Sequence, residues 1–210
     1  MEDWIKFKEC VGFIKQFEKK YGCYGLIPFD AVERAKKYVV ESIVNRILTK
    51  HGITNVEVKI DVDDVDEKVI EDKLRDVIEN ADDIALKQIV KKLKGFVEVK
   101  GRKITTKLHF IEHYYEWGTA YQPDWFSSEI VIALDMLISI ALRYAKPRNV
   151  ETTWISNIVY NLITLPTTLT NNDERVEKIK IFKNGRMEIY FWKEAYAYKI
   201  KHIIESKGDV

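Results

Sequence analysis

Asp61 and Asp63, followed by Asp64 and Asp66, are the residues of this 210-residue chain best spaced for metal chemistry. If residues 55–62 form a strand, Val56, Val58, Ile60 and Val62 point one way and Glu57, Lys59, Asp61 and Asp63 the other. Both carboxylates then share one wet face, where they can hold Mg²⁺ or Mn²⁺. A metal bridging phosphate oxygens is the usual engine of phosphoryl transfer and nucleic-acid cleavage. Glu98-Val99-Lys100 places an acid and a lysine on one face of a second expected strand, and Glu57-Val58-Lys59 repeats the spacing. One group of such a pair holds metal while the other orients water. These residues define a candidate metal-dependent nuclease or nucleotidyltransferase-like site of the acid-x-Lys type, with Asp61 and Asp63 as metal ligands and Asp61, Asp63, Glu98 and Lys100 as the catalytic set. A solvated strand followed by acidic helix-capping residues produces the same pattern without chemistry. Outside that site the chain implies no cofactor.

A second set of residues suits binding rather than catalysis. Arg102, Lys103 and Lys107 cluster about one expected hairpin, and Lys180, Lys183 and Arg186 about another. Lysines and arginines on hairpins can track the phosphates of DNA or RNA, and nearby aromatic rings can stack bases. Lysines also protect edge strands from aggregation, so the same residues have a structural account. A third set is aromatic: Tyr114, Tyr115, Trp117, Tyr121 and Trp125 offer a surface for a partner protein. His51, His109, His113 and His202 show no mutual metal spacing, and neither a phosphate-binding glycine loop nor a nucleophile elbow is present. Cys10 and Cys23 lack the spacing of a zinc site or a disulfide framework.

The elements that must carry these residues follow from periodicity. Trp4, Phe7, Val11, Ile14 and Phe17 predict an amphipathic helix over residues 4–21 with an aromatic core stripe, and a second helix runs from Asp30 to Lys50. Asp64 or Asp66 caps one long helix reaching about Lys94. Phe96 to Lys100 and Lys103 to Phe110 predict a hairpin about Gly101-Arg102. Residues 111–125 read as a loop with a helical turn. Ser127 or Ser128 caps a nearly all-apolar helix to Tyr144, a further helix spans Thr152 to Ile163, and Pro166 to Asp173 form a polar linker.

Asn184-Gly185 then separates two β-rich runs, and a two-residue turn there pairs Lys183 with Arg186. In that register Phe182, Met187, Ile189 and Phe191 share a face with Lys180, while Ile179, Ile181, Lys183, Arg186, Glu188 and Tyr190 share the other. A short helix from Lys193 to Glu205 completes the chain.

The expected fold is α+β: a helix-rich single domain spanning 1–210 with antiparallel β-hairpins, a helical N-terminal part over 1–52 and a hairpin-helix unit over 175–206. Charged residues are abundant but cancel to +1, so no global field selects nucleic acid or membrane. An acidic stretch over residues 57–83, with 12 Asp/Glu against 4 Lys/Arg, separates two mildly basic flanks. No N-terminal signal pattern appears and no apolar run reads as membrane-spanning, which predicts a cytoplasmic protein. The abundance of Lys, Glu and Ile beside scarce Gln leans towards a thermophilic host.

The run Phe182-Lys183-Asn184-Gly185-Arg186, continued by Met187-Glu188-Ile189-Tyr190-Phe191, resembles the C-terminal hairpin of a family of uncharacterised phage, plasmid and prophage proteins, often found near DNA-modifying genes. That family has Phe-Lys-Asn-Gly-Asn, so Arg186 stands where an asparagine is usual. Asp66 to Leu93 followed by Lys103-Ile104-Thr105-Thr106-Lys107 resembles the family's long helix and basic strand, and Ser128 to Tyr144 its later helix. The resemblance covers about residues 40–205 and supplies no catalytic residues. It implies a viral or mobile-element protein with a nucleic-acid role, DNA or RNA as partner, and a place in the host cytoplasm; a host protein is the partner that the aromatic segment Tyr114 to Trp125 would take. A homodimer is compatible with the sequence.

Overall fold

The computed structural model describes residues 2–22, 25, 30–60 and 65–207, which fall into two compact units, Met1–Ala81 and Asp82–Val210. The architecture is α+β, with helices in both units and antiparallel strands in the second.

The first unit contains α1 (Glu2–Tyr21), α2 (Ala31–Lys50) and α3 (Glu67–Glu79). Val40, Ile43, Val44, Ile47 and Leu48 of α2 are buried, as are Ile70 and Leu74 of α3. Asp66 caps α3, its Oδ1 accepting from the N–H groups of Lys68 at 2.8 Å and Val69 at 3.2 Å, as the sequence predicts. The aromatic stripe of α1 is a correction: Val11 is buried, but Phe17 is 43% exposed and does not belong to a core. Residues 55–60 keep the expected alternation of burial from Val56 to Ile60 yet pair with no strand among the described residues, so the predicted strand is absent there.

The predicted long helix ends early. Asn80 closes α3, its N–H bonding to the Asp76 carbonyl at 3.1 Å, and α4 (Ala81–Leu93) starts afresh with Asp82 and Asp83 in its first turn. From Asp82 onward the second unit contains β1 (Val97–Lys100), β2 (Lys103–Lys107), β3 (Phe110–Tyr115), β4 (Gly118–Pro123), α5 (Trp125–Arg143), α6 (Asn157–Tyr160), β5 (Thr167–Leu169), β6 (Val176–Ile181), β7 (Arg186–Phe191) and α7 (Glu194–Lys207). Five strands form one antiparallel sheet in the order β1-β2-β7-β6-β5, and β3-β4 form a separate hairpin. One face of the large sheet carries Ile104, Thr106, Ile179, Ile181, Met187, Ile189 and Phe191, all buried in the core that includes α5 and α7. Each fully buried side chain of this size contributes about 1.5–3 kcal/mol.

Helix α5 corrects the reading of apolar length. It is long and apolar enough to cross a membrane, but 61% of its span is buried inside the protein, and it serves as the core helix of the second unit. Asp124 rather than a serine caps it, accepting from the Ser127 N–H at 2.8 Å. The Ser127 hydroxyl accepts instead from the His109 N–H at 2.7 Å.

Residues 111–125, expected as a loop, include most of the β3-β4 hairpin; Phe110 opens β3 instead of ending β2. The helix expected over 152–163 is reduced to a 3-10 turn at Trp154–Ser156 and the single turn of α6. Competing partners explain the loss. The buried Asp135 carboxylate takes the N–H groups of Thr153 and Ser156, and Ile163 exchanges backbone hydrogen bonds with Tyr121. The expected polar linker contains β5, which pairs with β6.

The turn between β6 and β7 differs from expectation by one residue. Ile181 pairs with Met187 and Ile179 with Ile189, so the loop is the three residues Lys183-Asn184-Gly185, closed by the Gly185 N–H on the Phe182 carbonyl at 2.9 Å. A slip of one residue exchanges the faces of one strand relative to its partner. Ile179 and Ile181 therefore join Met187, Ile189 and Phe191 in the core, and Lys180 and Phe182 move to the other face with Arg186, Glu188 and Tyr190.

Gly185 has φ +82°, and a Cβ built there would lie 2.1 Å from the Leu108 carbonyl oxygen. Its own carbonyl accepts the Leu108 N–H at 2.8 Å, which locks the turn against the end of β2. Gly185→Ala is expected to lower stability by more than about 2 kcal/mol, since the left-handed backbone alone costs about 1–2 kcal/mol and a backbone carbonyl cannot step aside. Gly101→Ala, at φ +57° with open space around the new methyl, should cost only the backbone part. Thermal unfolding of the two variants side by side separates clash from conformation.

Candidate nucleic-acid interface

Strand β2 lies beside β7, and this adjacency brings the two basic hairpins together. The pairings Lys100 with Lys103, Lys103 with Tyr190 and Tyr190 with Lys178 define one row across the outer face. Glu98, Thr105, Glu188 and Lys180 form the next row, and Lys107 with Arg186 the third. The inner face is the core, so alternation leaves this set of charged side chains on the opposite side of the sheet.

Glu188 anchors the face. It is 4% exposed although it stands on the outer side, because its neighbours close over it. Lys103 Nζ donates to Oε1 at 2.6 Å, and the Tyr190 hydroxyl donates to Oε2 at 2.5 Å. Burial pushes the Glu188 carboxyl up, but the hydrogen bonds from Lys103 and Tyr190 and the nearby charges of Lys103 and Arg186 outweigh it and hold the group below its ordinary 4.5. The same contact raises the Lys103 ammonium above its usual 10.5 and the Tyr190 phenol above 10.0.

A carboxyl with a depressed folded-state pKa binds its proton more readily in the unfolded chain. Its stabilising effect is therefore complete above its unfolded value and fades as pH falls through the folded one. Glu188→Gln should consequently destabilise the protein at pH 7, and the gap from the parent should narrow as pH falls below the ordinary 4.5. Urea midpoints across that range measure it; a constant gap from pH 7 to pH 3 would refute the assignment.

Three ammonium groups surround the Tyr190 ring, Lys103 at 5.8 Å, Lys178 at 5.3 Å and Lys180 at 5.7 Å from its centroid. The Arg186 guanidinium lies 4.2 Å from the centre of the Phe182 ring. Arg102 pairs with Glu177 at 2.9 Å, and Lys178 bonds the same carboxylate at 2.6 Å. Lys100, Lys107, Lys180 and Lys183, by contrast, form no ion pair among the described residues, so their charges are not spent within the protein. The arrangement suits an extended anion lying over rings that can also take a base.

All six residues expected to bind nucleic acid thus belong to this face or its turns: Lys103, Lys107, Lys180 and Arg186 on the strands, Arg102 in the β1-β2 turn and Lys183 in the β6-β7 turn. Tyr190, Phe182 and Glu188 were not singled out for the site from the sequence. The odd loop length that would have placed Lys180 and Phe182 beside Tyr190 and Glu188 was nonetheless readable, since only that register buries Ile179 and Ile181 together with Met187.

The catalytic set fares differently. Glu98 and Lys100 share the outer face of edge strand β1, both exposed. Asp61 and Asp63 lie outside the described residues. Among the described residues no group of three or more His, Cys, Asp or Glu side chains is arranged to hold a metal ion. The chain matches no protein-family model, no curated protein and no solved structure.

Proposed function

We propose that this protein is a non-catalytic nucleic-acid-binding or accessory protein whose ligand lies across the outer face of the β1-β2-β7-β6-β5 sheet. The observation that carries the reading is the convergence of both basic hairpins on one open face, with Lys100, Lys107, Lys180 and Lys183 unpaired among the described residues and Tyr190 and Phe182 between them. The phosphates meet these ammonium groups and Arg186, and a base stacks on an aromatic ring. The likeness of the Phe182–Arg186 hairpin to phage, plasmid and prophage proteins supports a setting in a virus or mobile element. With a net charge of +1 the attraction is local to this face rather than a property of the whole molecule.

Fluorescence anisotropy of labelled single- and double-stranded oligonucleotides, titrated at several salt concentrations with and without Mn²⁺, tests the proposal. About five phosphate contacts to a single strand give a log-log salt slope of about −3.5, at ~0.7 per contact. Salt-insensitive or absent binding contradicts it. Mn²⁺-dependent cleavage that disappears in Asp63→Ala would replace it with the metal-dependent nuclease reading.

One observation favours a second reading, a protein-interaction module. Tyr114, Trp117 and Trp125 are more than 70% exposed on or just after the β3-β4 hairpin, and Tyr115 stacks on Trp117 at 4.8 Å. Under that reading, reversing the charges of Lys180 and Arg186 leaves partner binding intact while Trp117→Ala removes it.

A further inference from the structure

At the Lys107–Arg186 end of the sheet lies an open hollow of about 410 Å³ that also reaches the paired Val97 and Thr106. Phe96, Glu98, Thr105, Lys107, Asn184 and Arg186 line it. That volume falls in the roughly 300–1,000 Å³ range of small-molecule sites. Its chemistry differs from the rest of the face in one respect. Glu98 is an exposed carboxylate with no ion pair among the described residues, set two positions from Lys100 on a face otherwise suited to phosphates. A free carboxylate repels a phosphate backbone, so its presence here points to a ligand group that donates hydrogen bonds.

We infer that this hollow binds a guanine base of a single strand. The inference rests on the reading of the sheet face as a nucleic-acid surface and names the base it selects. Guanine alone presents a carboxylate with two adjacent donors, N1–H and N2–H₂, on its Watson–Crick edge. Adenine and cytosine offer one amino group beside a ring-nitrogen acceptor, and thymine and uracil offer one N–H between two carbonyls, so each sets an acceptor against the second carboxylate oxygen. The edge is accessible only in an unpaired strand. Phe96, 46% exposed and steadied by an edge-to-face contact with Phe126 at 5.0 Å, supplies a ring at the wall of the hollow. Lys107 and Arg186 hold the flanking phosphates. Asn184 keeps its amide donors for the ligand, because its Oδ1 is occupied by the Arg186 N–H at 3.1 Å.

The test uses labelled ten-nucleotide single strands, thymine-only and with one central guanine, together with the uracil and guanine RNA counterparts. The parent protein should bind the guanine-bearing strand about tenfold more tightly, as a good bidentate pair provides. Glu98→Gln should reduce that preference below about twofold while leaving thymine-only affinity unweakened, since losing a negative charge removes a repulsion. Unchanged thermal unfolding of Glu98→Gln, an exposed edge-strand substitution, confirms that the fold is kept. Equal affinity of the parent for both strands, or full guanine preference in Glu98→Gln, overturns the assignment while leaving the sheet-face reading standing. No salt-dependent binding of either strand overturns both. Preference in the RNA pair alone or the DNA pair alone upholds the guanine site and identifies the sugar it accepts.

Discussion

Asp135→Ala should lower the stability of the protein by about 3–4 kcal/mol, the cost of leaving four buried or half-buried donors without an acceptor. Asp135 is fully buried in the middle of α5, and its carboxylate accepts from the Thr153 N–H at 2.6 Å, the Thr153 hydroxyl at 2.5 Å, the Ser156 N–H at 3.1 Å and the Ser156 hydroxyl at 2.6 Å. These bonds fasten the Trp154–Ser156 turn to the core helix, and the substitution leaves the buried Ser156 amide and hydroxyl and the half-buried Thr153 amide without their acceptor. A change of that size corresponds to a fall in Tm of about 10 °C for a chain of this length. Asp135→Asn, which can keep its amide oxygen on the two N–H groups and turn its NH₂ to the Thr153 hydroxyl but loses the charge that strengthens these bonds, should fall between the parent and Asp135→Ala. Asp72→Ala removes an exposed partner of Arg75 and should change Tm little, since exposed ion pairs contribute about 0–1 kcal/mol. Calorimetry of the three variants measures the order.

The second large effect concerns binding. Replacing Lys107, Lys180 and Arg186 together by alanine should reduce the salt slope by about 2 and weaken single-strand binding about 100-fold at 0.1 M salt, the counterion release of three phosphate contacts. The three side chains lie on β2, β6 and β7 of one face, so the loss requires that the ligand span the sheet. None of them contributes to the core. Their removal leaves Lys103 on Glu188, and thermal stability should change little. An affinity within twofold of the parent would place the ligand elsewhere.

Local chemistry was legible in the sequence where it acts over a few residues. Asp66 announces the cap of α3, Gly101 and Asn184-Gly185 announce their hairpins, and the alternation along β7 groups Met187, Ile189 and Phe191 on one face and Arg186, Glu188 and Tyr190 on the other, as the structure has them. What the sequence conceals is longer-range. Nothing near Lys103 or Tyr190 marks β2 and β7 as neighbours, because their pairing depends on how the intervening chain returns to the sheet. The β3-β4 hairpin was missed because aromatic residues fill both faces and leave no period of two. Asp135 is visible as one acid in an apolar helix, but its partners Thr153 and Ser156 carry no mark, and their capture by Asp135 is what breaks the expected helix. The basic residues expected at the site thus converge on one face of the sheet, but its centre was not legible, because a one-residue difference in the loop decides that Lys180 and Phe182 share a face with Tyr190 and Glu188.

Photocrosslinking reads out whether nucleic acid lies on the outer face of the five-stranded sheet. A single strand carrying iodinated uracil is irradiated with the protein, and the crosslinked peptides are identified by mass spectrometry. Crosslinks are expected at Phe182 and Tyr190, competed by unlabelled strand and reduced by salt. Crosslinks confined to Tyr114, Tyr115, Trp117 or Trp125, with none on β6, β7 or the turn between them, would contradict it.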